Sequence, residues 1–454
     1  MPRRTPAQTS LRGDLVALLR DRWLLGLLVL GFLLRVLVAA MAHPDLVASE
    51  GALYASGASV LRTTGELDTG YLVRPPLYFL FLAALQSLWG RWVALATLLQ
   101  CAAGTAAAIP VSWTARRVAG TGAARLAAAF LLLDPTLISY CHLIGPETLY
   151  LLLAAIAFDA AVRVRPGAWG SALGLGLLAG LAMLLKPAFG LFALLCGGGW
   201  VLRFGPRFGL RLALVLGVAV VVVISPQMVR NQLRYGPAVG LENESLLGLW
   251  MGNDLQSPRI VRGEFESLPN ADTRSRVALE RGLAAIRADP SGFARRFAVR
   301  ALNLWGLEFY VLRELMFGSY GDVSKEAILL AFWTLQAAYA AQLLLAAAGV
   351  RRLGRDQALR PALAFAVGLT LLVAATVSST RSRVPLTPLL AVAAGIGADR
   401  LRQGRVRLRD LAAVALAILV LGLSASRPLF GILVWGSYQT PAELRNPEWK
   451  AFRY

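Results

Sequence analysis

The feature that most constrains this chain is a succession of apolar runs, each close to the length that crosses a bilayer. RWLLGLLVLGFLLRVLVAAM, WVALATLLQCAAGTAAAIPVSWT and LALVLGVAVVVVISPQMV are examples. The hydrocarbon core needs about 20 apolar residues per helix. With every backbone N–H and C=O satisfied inside its own helix, such runs can sit in lipid. Composition agrees. The chain is 57% hydrophobic with a mean hydropathy of +0.60, against about 45–50% apolar content in soluble domains. The expected fold class is therefore an all-α polytopic membrane protein.

The formal net charge of +20 could suggest a nucleic-acid partner, but its placement argues otherwise. The basic residues are nearly all Arg and sit in short clusters between apolar runs. That is how positive charge marks the cytoplasmic loops of membrane proteins. A nucleic-acid binder would gather it on one soluble face, so no nucleic-acid partner is expected. Cys101, Cys141 and Cys196 are far apart and lie in or beside apolar runs, with neither metal spacing nor a disulfide framework. The basic N-terminus and the run after it, which has no small-residue cleavage site, read as an uncleaved anchor.

Orienting the runs by their Arg clusters gives about eleven crossings. They are expected at about Trp23–Ala42, Trp92–Thr114, Leu126–Tyr140, Glu147–Val162, Ser171–Leu185, Ala188–Leu202, Leu212–Val229, Ala327–Val350, Ala362–Ser379, Val384–Ala398 and Leu411–Ser424. Arg116-Arg117, Arg351-Arg352 and the run from Arg400 to Arg409 mark the inner side. The run Pro76–Trp89 is too short for a full span and reads as a partial helix at the outer face. Four regions follow. Residues 1–229 form an N-terminal membrane module with its first outer loop at 43–75. Residues 230–326 form a periplasmic segment, 327–426 the C-terminal membrane helices, and 427–454 a periplasmic tail.

On this topology the outer surface collects ionisable residues. Asp45, Glu50, Glu66, Asp68 and Arg74 lie in the first outer loop, and Glu147 at the mouth of the next. Lys186-Pro187 ends a crossing, Arg230-Asn231 opens the outer segment, and Arg381 and Arg383 fall in STRSRVPLTP. Ionisable groups at membrane depth are costly and often functional. Carboxylates facing cations at a lipid–water boundary suit a base acting on an acceptor while Arg and Lys hold a lipid phosphate. Blander readings stand beside this. Glu66 and Asp68 read as solvated loop acids, and Arg74 and Lys186 could each anchor a helix at the headgroups. His43 and His142 lack companion ligands and read as structural. Arg35 is expected to pair within the bundle. The sequon at Asn243 is a pattern only.

Taken in order, several segments resemble the GT-C membrane glycosyltransferases, in the branch of the protein O-mannosyltransferases and the lipid A aminoarabinose transferase. SEGALYASGASVLRTTGEL followed by YLVRPPLYFLFLAAL is similar to that family's first outer loop, with Glu50 at its acidic position, Tyr54 four residues on, and Arg74 before Pro-Pro. Gly51 stands where the family has a second acid. LDPTLISYCHLIGPETLYLLL, GLLAGLAMLLKPAFGLFAL, ISPQMVRNQLRYGPAVG and STRSRVPLTPLLAVAAG resemble later segments, carrying Glu147, Lys186, Arg230-Asn231 and Arg381 with Arg383. Gln227 replaces the usual Trp.

The resemblance implies transfer of a sugar from a polyprenyl-phosphate donor to a lipid, glycan or protein acceptor. The reaction would take place at the outer face of a bacterial inner membrane, with inversion at the sugar carbon. It implies Glu50 as base, with Glu147 supporting it or positioning a divalent metal if one is used. Arg74, Lys186, Arg381 and Arg383 would bind the lipid phosphate. No nucleotide loop or tightly bound cofactor is expected. Two other readings stay open: a lipid or polysaccharide transporter, and a non-catalytic membrane scaffold.

Overall fold

The computed structural model describes residues 11–41, 50–67, 70, 72–316, 319–320, 323–377 and 379–425. His43, Asp45, Asp68 and the tail 427–454 lie outside the described residues. No strand occurs among the described residues.

The N-terminal half begins with α1 (Leu11–Arg20), α2 (Arg22–Met41), α3 (Gly51–Thr64), α4 (Leu77–Leu88), α5 (Trp92–Ala106) and α6 (Ala108–Ala119). It continues through α7 (Thr121–Leu132), α8 (Pro135–Tyr140), α9 (Glu147–Arg163), α10 (Trp169–Met183), α11 (Gly190–Phe204) and α12 (Pro206–Tyr235). The segment between membrane halves holds α13 (Glu244–Asn253), α14 (Pro258–Ser267), α15 (Ala271–Ala288), α16 (Pro290–Trp305) and α17 (Tyr310–Met316). The chain then forms α18 (Lys325–Leu353), α19 (Arg360–Ala375), α20 (Thr387–Arg402) and α21 (Leu408–Ser424).

Each of the eleven expected crossings falls on a helix or a helix pair, and among the described residues seven of these stretches are long and apolar enough to span a bilayer by themselves. The chain is a multi-pass membrane protein. Helix α4 is 12 residues long, about 18 Å at 1.5 Å per residue, so it cannot cross alone and agrees with the partial helix expected there. Two crossings differ from expectation for local reasons. The first is interrupted at Ala107, where α5 gives way to α6, although Ala107 itself keeps a helical conformation. Pro110 in the first turn of α6 has no N–H to bond back across the junction. The second, Leu126–Tyr140, is broken at Asp134-Pro135. The residue before a proline disfavours the helical region, and Asp134 instead caps α8 by accepting from Thr136 N and Leu137 N.

Arg35 on α2 sits at this break. It is fully buried and donates to the carbonyls of Leu131 and Leu132. These C-terminal carbonyls of α7 have no partner within the helix, so a guanidinium serves them. His142 meets the Arg35 carbonyl at 3.1 Å, which supports its structural reading.

Helix α20 is the centre of the bundle. Within the stretch from Thr380 to Arg402, 83% of its apolar window of 18 residues is buried, against 17% of the corresponding window in α2. It packs on α18 and α7. Gly397 lies against the Leu345 carbonyl, and Gly349 of α18 against the Ala393 carbonyl. Even one added methyl would collide there. In a membrane, where lipid is as apolar as the helix surface, such close backbone approach is a main source of helix–helix affinity. Below the start of α20, residues 380–386 form a tighter 3-10 helix, and the chain there leaves the regular bundle. The segment expected to be polar and external is itself helical, with Asn270, Asp289 and Ser324 capping α15, α16 and α18.

Candidate functional site

At the end of the bundle where α20 begins, a cavity of about 360 Å³ opens between α3, α9, α13, α19 and the 3-10 helix 380–386. Glu50, Tyr54, Arg74, Glu147, Lys186 and Arg381 all line it. They come from widely separated parts of the sequence. Leu247 and Met251 of α13 and Leu369, Leu372 and Val373 of α19 form an apolar wall on another side. The cavity thus combines a charged floor with an apolar flank.

Arg381 is the hub. Its Nη1 donates to Glu50 Oε2 at 2.5 Å and its Nε to Glu147 Oε1 at 2.5 Å. Nη1 also reaches the Tyr310 hydroxyl at 3.1 Å, and the guanidinium lies over the Tyr310 ring, 5.2 Å from its centroid. Glu147 is buried and has a second cation, Lys186 Nζ, at 3.9 Å. Glu50 lines the cavity with 46% of its side chain exposed. Burial pushes the Glu50 carboxyl up. The charges of Arg381, Arg74 and Lys186, with the Arg381 hydrogen bond, outweigh this and hold it well below its ordinary range. Glu50 is therefore ionised at neutral pH.

Local structure explains how these groups are presented. Glu50 precedes α3, and the Tyr54 N–H bonds its carbonyl in the first turn. Glu50 and Tyr54 thus share one face of the helix, as four-residue spacing requires. Arg74 lies on the extended chain before Pro75-Pro76. That chain is pinned by Asn243, whose side-chain oxygen accepts from Val73 N at 2.9 Å while its own N–H donates to the Val73 carbonyl. The sequon asparagine is fully buried in this role. Arg74 donates to the Tyr54 hydroxyl at 3.2 Å and to Glu244 at 3.4 Å. Burial would lower its basicity, but Glu244 and Tyr54 raise it above the ordinary arginine value. Lys186 is held extended by Pro187, which opens a 3-10 turn before α11.

A Cβ added to Gly145 would lie 2.5 Å from Glu147 Oε2. Only glycine leaves room for the carboxylate in its present position.

Not every expected site residue faces the cavity. Arg383 lies on the other side of the 3-10 helix. It is buried, pairs with Glu308 at 2.9 Å, donates to the carbonyls of Leu304 and Gly306, and stacks on Tyr339. Its distance from the cavity has a geometric cause. At three residues per turn, positions i and i+2 lie about 120° apart, so Arg381 and Arg383 cannot point the same way. Arg230 and Asn231 are also outside the cavity. Arg230 donates to the Leu67 carbonyl at 2.6 Å, and Asn231 donates to the Gly240 carbonyl at 2.7 Å. With Gln227, which donates to Asn231, they tie the first loop to the end of α12. Glu66 pairs with Arg234 near the surface, in line with its solvated reading.

Sequence reasoning did not anticipate Tyr310, Arg313, Glu242 or Glu244, which also line the cavity. Arg313 lies over the Tyr310 ring and pairs with Glu314. Burial raises the Tyr310 phenol above its ordinary value, so it is neutral. Among the described residues, no three His, Cys, Asp or Glu side chains come together as a metal site.

No protein-family model matches the sequence, and no curated protein sequence matches it. Solved structures do match in shape. An archaeal oligosaccharyltransferase, AglB from Archaeoglobus fulgidus in complex with an inhibitory peptide and a dolichol-phosphate, superposes with a TM-score of 0.51 at 12% identity, over 95% of this chain and 57% of that one. The apo form of the Archaeoglobus fulgidus oligosaccharyltransferase gives 0.50 at 13% identity, over 92% and 56%. ArnT from Cupriavidus metallidurans bound to undecaprenyl phosphate is also similar, with a TM-score of 0.38 at 15% identity, over 85% and 79%. The chain spans little more than half the length of the oligosaccharyltransferase. Its helical bundle shares the fold of that oligosaccharyltransferase.

Proposed function

We propose that the protein transfers a sugar from a polyprenyl-phosphate donor to an acceptor in the cavity around Arg381, at the outer face of a bacterial inner membrane. The observation that carries this reading is the Arg381 bridge between Glu50 and Glu147, with Arg74 and Lys186 on the same cavity. These two carboxylates and three cations, among the charged groups that line the cavity, suit a leaving phosphate and an acceptor that must lose a proton. The GT-C fold, shared with an oligosaccharyltransferase solved with dolichol-phosphate, supports the same class of donor.

The charge balance suggests how the site works. Arg381 neutralises both carboxylates. A dianionic or monoanionic lipid phosphate would compete with them for Arg381, Arg74 and Lys186. Glu50 would then lose part of its cationic surroundings, and its proton affinity would rise. It becomes a better base only once the donor is seated. The acceptor heteroatom attacks the sugar carbon, its proton passes to Glu50, and the bond to the phosphate oxygen breaks as the cations stabilise the leaving charge. Glu147 keeps Arg381 and Lys186 in place. The apolar wall of α13 and α19 would receive the first part of the polyprenyl chain. The reading routes no step through a metal.

The test is donor binding and turnover in single variants. Arg74→Gln and Lys186→Gln should weaken donor binding while Glu50→Gln leaves binding and removes turnover. Normal turnover in Glu50→Gln would remove the base from this scheme.

A further inference from the structure

A second cavity, of about 600 Å³, lies at the opposite end of the bundle. Helix α20 connects the two, starting beside the candidate site and ending at this cavity. Its 16 residues span about 24 Å. Arg351, Arg352 and Arg355 approach from the end of α18, Arg400 and Arg405 from the end of α20, and Arg407 and Arg409 from the start of α21. Asp399 and Asp410 are the acids on its wall, and both are engaged. Asp410 accepts from Arg400 at 2.6 Å and from the Arg407 N–H at 2.9 Å. Asp399 accepts from Gln403 at 2.6 Å and pairs with Arg402 at 3.1 Å. No carboxylate among the described residues pairs with Arg351, Arg352, Arg355, Arg405, Arg407 or Arg409.

We propose that this cavity is a binding site for a phosphate group, carried either by an anionic lipid headgroup or by a soluble phosphate compound. Membrane topology alone does not account for it. Topology requires these charges to stay on one side of the bilayer, but not to converge. The six arginines are solvent-exposed, so their mutual repulsion is screened by water but still favours an anion between them. The fork of N–H donors on each arginine matches phosphate oxygens, and basic pockets between membrane helices are suited to lipid headgroups.

The chain also builds the cavity with a defined turn. The end of α20 closes with the Arg405 N–H on the Arg400 carbonyl and the Gly404 N–H on the Leu401 carbonyl. This pair of bonds is the Schellman pattern, and Gly404 takes the left-handed conformation it needs, at φ 64°. The turn brings Arg405 back beside Arg400, whose Nη2 donates to the Arg405 carbonyl at 3.1 Å. Arg351 donates to the Arg409 carbonyl at 2.8 Å and ties α18 to α21. The arginines therefore sit on a braced frame.

The experiment uses the full-length protein in detergent with two probes. One is inorganic pyrophosphate, followed by titration at constant ionic strength. The other is phosphatidylglycerol against phosphatidylcholine, followed by native mass spectrometry of lipid retained after delipidation. Wild type should bind at least one probe. The variant Arg355→Gln, Arg405→Gln, Arg409→Gln should bind it at least about 10-fold more weakly, the effect of losing a single charge-assisted contact. The matched variant Arg259→Gln, Arg281→Gln, Arg287→Gln, which removes equal charge from the segment between the membrane halves, should bind as wild type does. Replacing the first three by Lys keeps charge and guards against a folding defect; it should bind at an intermediate level. Pyrophosphate binding without lipid retention assigns a soluble phosphate, and phosphatidylglycerol retention alone assigns a headgroup. Binding of neither probe, or equal weakening in both triple variants, would overturn the proposal.

Discussion

Arg381→Gln is the most informative single change. The substitution removes a guanidinium that meets Glu147 and Glu50 at 2.5 Å each. Glu147 is buried and would keep only Lys186, at 3.9 Å. Removing one partner of a buried ion pair costs about 3–5 kcal/mol, and the remaining lysine places the expected loss near 3 kcal/mol. At about 2.1 cal/mol/K of unfolding entropy per residue, a chain of 454 residues loses about 1 °C of melting temperature per kcal/mol. The expected drop at pH 7 is therefore about 3 °C. The pH dependence carries the sign. In wild type the lowered Glu50 carboxyl contributes stability above its unfolded value near 4.3, and that contribution fades as pH falls through the folded value. In the variant Glu50 loses its nearest cation, so its proton affinity rises and acid relieves its repulsion with the neighbouring carboxylate. The melting gap between wild type and variant, measured in detergent, should narrow between pH 7 and about pH 5. A gap absent at pH 7, or constant across that range, would refute the bridge.

Arg383→Ala should cost about 3–5 kcal/mol, or about 3–5 °C of melting temperature on the same conversion, because it strands the fully buried Glu308, while donor affinity in the folded fraction stays normal; lost affinity with an unchanged melt would place Arg383 on the donor. Gly145→Ala should reduce turnover and lower melting by no more than Arg381→Gln does, because the new methyl displaces the Glu147 carboxylate from its buried ion pair; wild-type turnover would mean the carboxylate has room to spare. Arg74→Gln should weaken donor binding by about 10- to 150-fold, the range for one charge-assisted contact, read by titration of donor lipid.

The fold was largely legible because lipid imposes a single requirement, long apolar helices, and the sequence meets it run by run. What composition could not reveal were the interruptions. Pro110 follows the interruption of one crossing and Asp134-Pro135 breaks another, both readable as breakers only once the helices are placed. The site was half legible. Glu50 and Tyr54 share a helical face, and Glu147, Arg74, Lys186 and Arg381 reach the same cavity. Arg383 was misplaced because an Arg-x-Arg spacing says nothing about whether the backbone is α, 3-10 or extended. Tyr310 and Arg313 went unseen because α17 is a 7-residue helix after a polar segment, with no periodic pattern long enough to orient it. Arg230 and Asn231 looked functional by position and prove to be loop ties.

The central claim is that Glu50 acts as base toward an acceptor while Arg381 and its neighbours hold a lipid phosphate. Purified protein in lipid, supplied with polyprenyl-phosphate-linked sugars extracted from bacterial membranes together with a membrane extract as acceptor source, provides the direct measurement: release of free polyprenyl phosphate over time. Wild type should release it, and Glu50→Gln, equally folded and equally able to bind donor, should release it at least about 100-fold more slowly, the low end for loss of a general base. Equal rates from the two proteins, with donor bound by both, would contradict the account.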